Sequence, residues 1–207
     1  MAVNYVIAAD IIDVRVDTPK PEDVFLVDSN VWYWMTYTKA SLVMETWSQS
    51  RVRDYPAFVN KAIATRAKLY RCALSFSELA HTIEKSEREI FVKTFGQIRS
   101  KEYRHNHPKE RSNVVNEVQA AWGQVKTMAS SLDVTINDAI TDATLTRFGK
   151  ECVDGYDLFF LEAMSNEKVI QIITDDGDFA TVSEIRVFTA NQNVITAAQK
   201  QGKFVTR

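Results

Sequence analysis

The amino-acid sequence predicts a single α/β domain of three layers, with a central, mostly parallel sheet between two sets of helices. Three observations carry this expectation. Short apolar runs at Val24-Phe25-Leu26-Val27 and Val169-Ile170-Gln171-Ile172-Ile173-Thr174 have the composition of strands buried on both faces. Stretches with helical spacing separate the strands, as in parallel βαβ units. The 207 residues hold neither an internal repeat nor a Gly/Ser linker, which favours one core over two.

Each element follows from local pattern. Residues 10–17 alternate, with Ile12, Val14 and Val16 on one face and Asp13, Arg15 and Asp17 on the other, as expected of a half-exposed strand. Pro19 and Pro21 separate it from the Val24 run. Residues 56–69 have helical spacing, with Phe58, Ala62 and Leu69 inward and Lys61, Arg66 and Lys68 outward. Another helix opens at Ser75-Phe76-Ser77-Glu78 and runs into the 90s. Pro108 argues against a helix through His105-Asn106-His107-Pro108. From Asn113 onward, Val114, Val118, Ala121, Trp122, Val125, Met128 and Ala129 repeat with helical period.

Leu132-Asp133-Val134-Thr135-Ile136 reads as a strand, and helices follow over about 138–148 and 156–164. After the 169–174 strand come the turn Asp175-Asp176-Gly177-Asp178, a short strand at Val187-Phe188, and a helix stopped by Gly202. The expected organisation is an added strand and linker over residues 1–22, then a domain over 23–207 with a helical insertion at about 85–131.

Composition narrows the class of protein. With 45% hydrophobic and 25% charged residues, the chain is neither low-complexity nor disordered. The formal charge is −2, so a polyanion must be met by a local patch or a bound cation. Cys72 and Cys152 lack metal-type spacing and read as reduced core thiols. No apolar run approaches the ~20 residues of a membrane span, and the expectation is a soluble cytoplasmic protein.

Four acids converge if the sheet is parallel, because sites in such sheets form beyond the carboxyl ends of the strands. Asp28 follows the first buried strand and Asp176 follows the 169–174 strand. Glu78 and Asp157 lie in the first turns of helices that start at the same edge. Each has a local alternative: a capping box for Ser75-x-x-Glu78, first-turn placement for Asp157 behind a capping Asp154, and a plain turn for Asp175–Asp178. Asp28 fits such an alternative least, since a carboxylate at the end of a buried strand needs a partner. Other acids would only repel it, whereas a divalent cation held by oxygen ligands, Mg²⁺ or Mn²⁺, resolves the conflict.

These motifs resemble those of the PIN-domain ribonucleases. Val24-Phe25-Leu26-Val27-Asp28-Ser29-Asn30 is similar to that family's opening strand and acid, and Ser75-Phe76-Ser77-Glu78-Leu79 to its second acidic position. Asp157-Leu158-Phe159-Phe160-Leu161-Glu162-Ala163 resembles the third. Ile173-Thr174-Asp175-Asp176-Gly177-Asp178-Phe179 resembles the closing Thr-x-Asp/Asn-x-Asp-Phe. The resemblance spans roughly residues 24–202 and is closest in layout to toxins of the VapC type, from which the chain departs by its extra N-terminal strand and long middle. It implies a PIN-like fold and Mg²⁺- or Mn²⁺-dependent endoribonuclease activity. Asp28, Glu78, Asp157 and Asp176 would be both catalytic and metal-holding, Asp178 would assist, and Asn30 and Thr174 would orient the carboxylates. It also implies an RNA substrate, a small antitoxin and a second copy as partners. A non-cleaving scaffold that binds RNA or protein is the alternative. A haloacid-dehalogenase phosphatase would need a second Asp where Asn30 stands.

Two further segments invite a role. Residues 85–111 hold eight basic and four acidic side chains, a local +4 that leaves −6 on the remainder. With Tyr103, His105 and His107 interleaved, this is either a phosphate-tracking arm or a solvated helical projection. His105-x-His107 has no Cys or third His nearby to complete a zinc site. The aromatic run Val31-Trp32-Tyr33-Trp34-Met35-Thr36-Tyr37 reads chiefly as core.

Overall fold

The computed structural model describes residues 3–43 and 49–207. Its strands are β1 (Asp10–Asp13), β2 (Val24–Val27), β3 (Lys68–Cys72), β4 (Ser130–Leu132), β5 (Gln171–Ile173) and β6 (Arg186–Thr189). The helices among the described residues are α1 (Ser29–Thr36), α2 (Ala40–Val43), α3 (Arg51–Ala64), α4 (Leu74–Phe95), α5 (Ser100–Asn106), α6 (Pro108–Met128), α7 (Asp138–Phe148), α8 (Gly155–Asn166) and α9 (Gln192–Gln201). All six strands are parallel in one sheet of order β1-β6-β5-β2-β3-β4. None of these helices is long and apolar enough to cross a membrane.

The alternation of side chains along each strand splits the interior into two cores. Ile12, Phe25, Val27, Leu69, Ile173 and Phe188 face the layer of α1–α6, while Ile11, Leu26, Cys72, Ile172 and Val187 face α7–α9. An aromatic knot of Phe25, Phe58 and Phe188, with centroids 4.8–5.9 Å apart, anchors the first core to α3. The aromatic run is core, as its composition indicates. Val31, Trp32, Tyr33 and Tyr37 are buried, and Trp34 stacks on Tyr55.

Several expectations need correction. The 56–69 helix starts earlier, at Arg51, and stops at Ala64. Arg66 (φ 63°) breaks it in the left-handed conformation, and Leu69 belongs to β3. The strand expected at 132–136 is instead β4 at Ser130–Leu132. The first strand closes at Asp13, whose carbonyl accepts the N–H groups of Val16 and Asp17, so Val16 points to solvent at 72% exposure. The segment around His107 is more helical than expected, because Pro108 starts α6 rather than merely breaking a helix. Cys72 is buried but Cys152 is exposed, so only one is a core thiol.

The N-terminal segment is part of the main sheet. β1 pairs with β6, and residues 203–205 run along its other side through Ile11 N–H to Lys203 carbonyl and Val205 N–H to Ile11 carbonyl. Arg207 then inserts its guanidinium between Asp17 and Asp23, with ion pairs of 2.9 and 2.5 Å, over the Phe188 ring. Burial raises the Asp23 pKa, but Arg207, the Lys20 N–H and the Gln171 amide together hold it below its ordinary value. The Arg207 side chain is only 15% exposed, so its loss strands two buried carboxylates. Arg207→Met is expected to cost about 3–5 kcal/mol in urea unfolding, and the triple variant Asp17→Asn/Asp23→Asn/Arg207→Met should recover much of it. A wild-type midpoint for Arg207→Met would refute the clamp.

Candidate active site

The strand order reverses between β2 and β5. From β2 the chain winds outward through β3 to β4, and from β5 it winds the other way through β6. At such a switch point the loops leave in opposite directions and open a crevice at the carboxyl edge. Asp28 and Asp176 stand there, one residue after β2 and three after β5.

Asp28 is the N-cap of α1. Its Oδ1 accepts the Ser29 N–H at 2.5 Å, and its Oδ2 accepts the Thr174 hydroxyl at 2.5 Å. The Thr174 oxygen in turn accepts the Asp176 N–H at 2.9 Å, and Asp176 Oδ1 accepts the Asp178 N–H at 2.9 Å. One buried hydroxyl thus ties the two strand ends together. Glu78 joins from α4: its Oε2 accepts the Ser29 hydroxyl at 2.6 Å. The capping-box alternative fails, because α4 starts at Leu74 and the buried Ser75 hydroxyl has no partner among the described residues. Asp157 comes from the first turn of α8, whose N-cap Asp154 accepts the N–H groups of Tyr156 and Asp157.

The electrostatics set this cluster apart. The buried acids among the described residues are Asp13, Asp17, Asp23, Asp28, Glu87, Asp157 and Glu162. Five have a cation: Arg15 for Asp13, Arg207 for Asp17 and Asp23, Lys39 for Glu87 and Arg147 for Glu162. Asp28 and Asp157, 4% and 6% exposed, have no Lys or Arg partner among the described residues. Burial pushes both well above the ordinary carboxylate range. For Asp28 the Thr174 hydrogen bond opposes that rise, while Glu78 and Asp176 add to it; for Asp157 the charges of Asp28, Asp154, Asp176 and Glu78 add to it. Glu78 is also raised by burial, against its Ser29 hydrogen bond, with Asp154 and Asp176 contributing. Asp178 is raised by burial and by Asp176 and Asp154.

All four expected acids therefore lie within electrostatic reach of one another. Thr174 orients Asp28 as expected, whereas Asn30 makes no hydrogen bond to a carboxylate and its buried Oδ1 lacks a partner among the described residues. Asp175 turns away from the cluster, accepting the Tyr55 hydroxyl at 2.7 Å and pairing with Arg51 at 2.7 Å. Sequence reasoning missed Ser29, which links Asp28 to Glu78, and took Asp154 for a cap alone. It also missed Tyr5, whose ring covers Gly177 and whose hydroxyl pKa is raised by burial and by Asp178, Asp176 and Asp175. The Asp28-Ser29 pairing was a readable signal; nothing in the sequence points from Tyr5 to Gly177.

The donor set is all oxygen, which suits Mg²⁺ or Mn²⁺. As the side chains stand, no group of three or more His, Cys, Asp or Glu among the described residues is arranged to hold a metal ion. Ser29 and Thr174 instead hold Glu78 and Asp28. Comparison with protein-family models finds no match, and no curated protein is significantly similar to the chain.

An acid whose folded pKa is raised binds more protons folded than unfolded, so its stabilising contribution is complete below the unfolded pKa and is lost as pH rises through the folded value. The metal-free protein should therefore lose thermal stability as pH climbs from about 4 through neutrality. Asp157→Asn should flatten that slope and raise Tm at pH 8, by about 2–4 °C for each kcal/mol relieved. Mg²⁺ or Mn²⁺ should raise Tm more at pH 8 than at pH 5. A pH-independent Tm would contradict the unpaired burial of these acids.

Gly177 has φ −75°, a conformation open to any residue, so its requirement is space. A Cβ there would clash with the hydroxyl end of the Tyr5 side chain, 2.3 Å from Cζ and 2.5 Å from the hydroxyl oxygen. Gly177→Ala should displace Tyr5 and leave the fold intact, and its effect should vanish in a Tyr5→Ala background. Additive losses of stability in that double-mutant cycle would exclude the contact.

Proposed function

We propose that the chain is a Mg²⁺- or Mn²⁺-dependent endoribonuclease of PIN-domain type, with Asp28, Glu78, Asp157 and Asp176 as its metal-holding carboxylates. The main support is the contrast among the buried acids. Among the described residues, five of the seven have a cation and Asp28 and Asp157 have none, at the crevice where α/β sheets place their sites.

A bound divalent ion supplies an activated water and neutralises charge that develops on the phosphate. The other roles belong to the chain itself. Asp28 and Asp176 are presented on adjacent strand ends, held in register by Thr174. Ser29 fixes Glu78 against the same cluster, and the Asp178 N–H steadies Asp176. Thr174, Ser29 and the Asp178 backbone are positioning groups in this reading. Asp154, exposed at the N-terminus of α8, adds negative charge at the mouth and favours the cation further. The layout of the motifs extends the proposal to the toxin of a toxin–antitoxin pair, acting on RNA in the cytoplasm, with a small antitoxin and a second copy as protein partners.

The test is cleavage of single-stranded and structured RNA with Mg²⁺ or Mn²⁺. Asp28→Asn and Asp176→Asn should abolish cleavage, and so should chelation. Thr174→Val should retain the fold and lose about 10- to 100-fold, as second-layer partners of metal ligands do. Activity surviving both Asn substitutions would remove the site. RNA binding without cleavage by the wild type would favour the non-cleaving scaffold.

A further inference from the structure

Tyr5 brings to the crevice a group that the acids do not supply. The segment that carries it is moored at several points. Ile7 is buried in the core beneath α8 and α9, and Ala8 and Ala9 donate their N–H groups to the Ala180 carbonyl at 2.9 and 3.1 Å. The Gln201 amide bridges the Ile7 N–H and the Tyr5 carbonyl, at 2.9 Å each. These bonds set the half-buried Tyr5 side chain on the turn between Asp176 and Asp178, where the glycine at 177 leaves room for its phenol end.

The other hydroxyls named at the crevice are already committed, Ser29 to Glu78 and Thr174 to Asp28. The Tyr5 hydroxyl makes no hydrogen bond to a described residue. Burial and the charges of Asp178, Asp176 and Asp175 raise its pKa, so at neutral pH it remains a protonated donor. As a spacer over Gly177 the ring would serve equally well without its oxygen. A phosphodiester drawn to a divalent ion in this crevice brings a second non-bridging oxygen in among carboxylates, none of which can donate to it when ionised. A Lys or Arg placed to meet that oxygen would pair with the acids and compete with the ion. A neutral phenol meets it without doing so, and a hydrogen bond to a charged acceptor is of the stronger kind.

We propose that the Tyr5 hydroxyl donates to a non-bridging phosphate oxygen of the RNA, which makes Tyr5 a substrate-binding residue of the crevice. This rests on the metal-dependent ribonuclease reading of the four acids and adds to it a donor that they lack.

The experiment measures binding of a fluorescent single-stranded RNA 10-mer to the full chain bearing Asp28→Asn, in Mg²⁺, by anisotropy. Adding Tyr5→Phe, which keeps the ring over Gly177, should weaken binding about 10- to 100-fold, as the loss of a hydrogen bond to a charged group does. In the otherwise wild-type chain, Tyr5→Phe should leave both Tm and the rise in Tm produced by Mn²⁺ unchanged. In a scan of single methylphosphonate linkages, one neutral linkage should weaken the parent and cost Tyr5→Phe nothing further. Unchanged RNA affinity in Tyr5→Phe would overturn the contact, even where Tyr5→Ala weakens binding, since the ring would then be a brace alone. A smaller Mn²⁺-induced rise in Tyr5→Phe would also overturn it, by assigning the effect to the ion. Both results leave the ribonuclease reading untouched, because that is decided by cleavage with the wild type. Tyr5-dependent binding together with a wild type that cleaves no RNA would support the contact and overturn that reading.

Discussion

The Thr174 hydroxyl is the contact on which the rest of the site depends. It is fully buried, donates to Asp28 at the end of β2 and accepts from the backbone of Asp176 past β5. Those strands are hydrogen-bonded neighbours, and the sheet winds away from them in both directions. A carboxylate at that junction is unavoidably close to others, because α1, α4 and α8 all begin at the same edge. The fold therefore concentrates negative charge where it buries it. Elsewhere among the described residues it does the opposite, meeting each buried acid with Arg15, Lys39, Arg147 or Arg207. Among the described residues, that unpaired burial is confined to one crevice.

The elements around the crevice act as its scaffold. Ser29 opens α1 with its N–H on Asp28 and its hydroxyl on Glu78, so a helix start and a bridge between layers come from one residue. The Tyr55 hydroxyl reaches the Thr174 carbonyl, Asp175, Thr189 and the Ala190 N–H, locking the ends of β5 and β6 to α3. Asp175 is consumed in that lock, so its charge is turned toward Arg51 and away from Asp176. Tyr5 closes the other side over Gly177. Tyr55 and Tyr5 thus brace a turn that carries three acids, Asp175, Asp176 and Asp178.

Much of this was legible in the sequence, for identifiable reasons. The apolar runs at 24–27 and 169–174 mark central strands because such strands are apolar on both faces, and the acids that follow them mark the carboxyl edge. The errors also have causes. The α3 helix was extended into β3 because its stop is Arg66 at positive φ, where no glycine announces a turn. Leu69 suited either period. β4 at Ser130–Leu132 is polar where it is exposed, so the more β-like Val134 and Ile136 drew the assignment past it. The Ser75–Glu78 spacing matched a capping box, yet packing started the helix at Leu74 and left Ser75 inside. Long-range contacts such as Tyr5 over Gly177 or Arg207 on Asp17 and Asp23 have no local signature at all.

The basic segment shows how charge counts mislead when the fold is unknown. Its surplus of +4 looks like an arm for phosphate, but much of it is spent within the helical layer. Arg104 and Arg111 hold Glu84, Arg88 donates to the Ile98 carbonyl, and Lys93 donates to the Leu42 carbonyl. Tyr103 and His107 pack with Phe91, so the rings that seemed available for stacking stabilise α5 against α4 and α6.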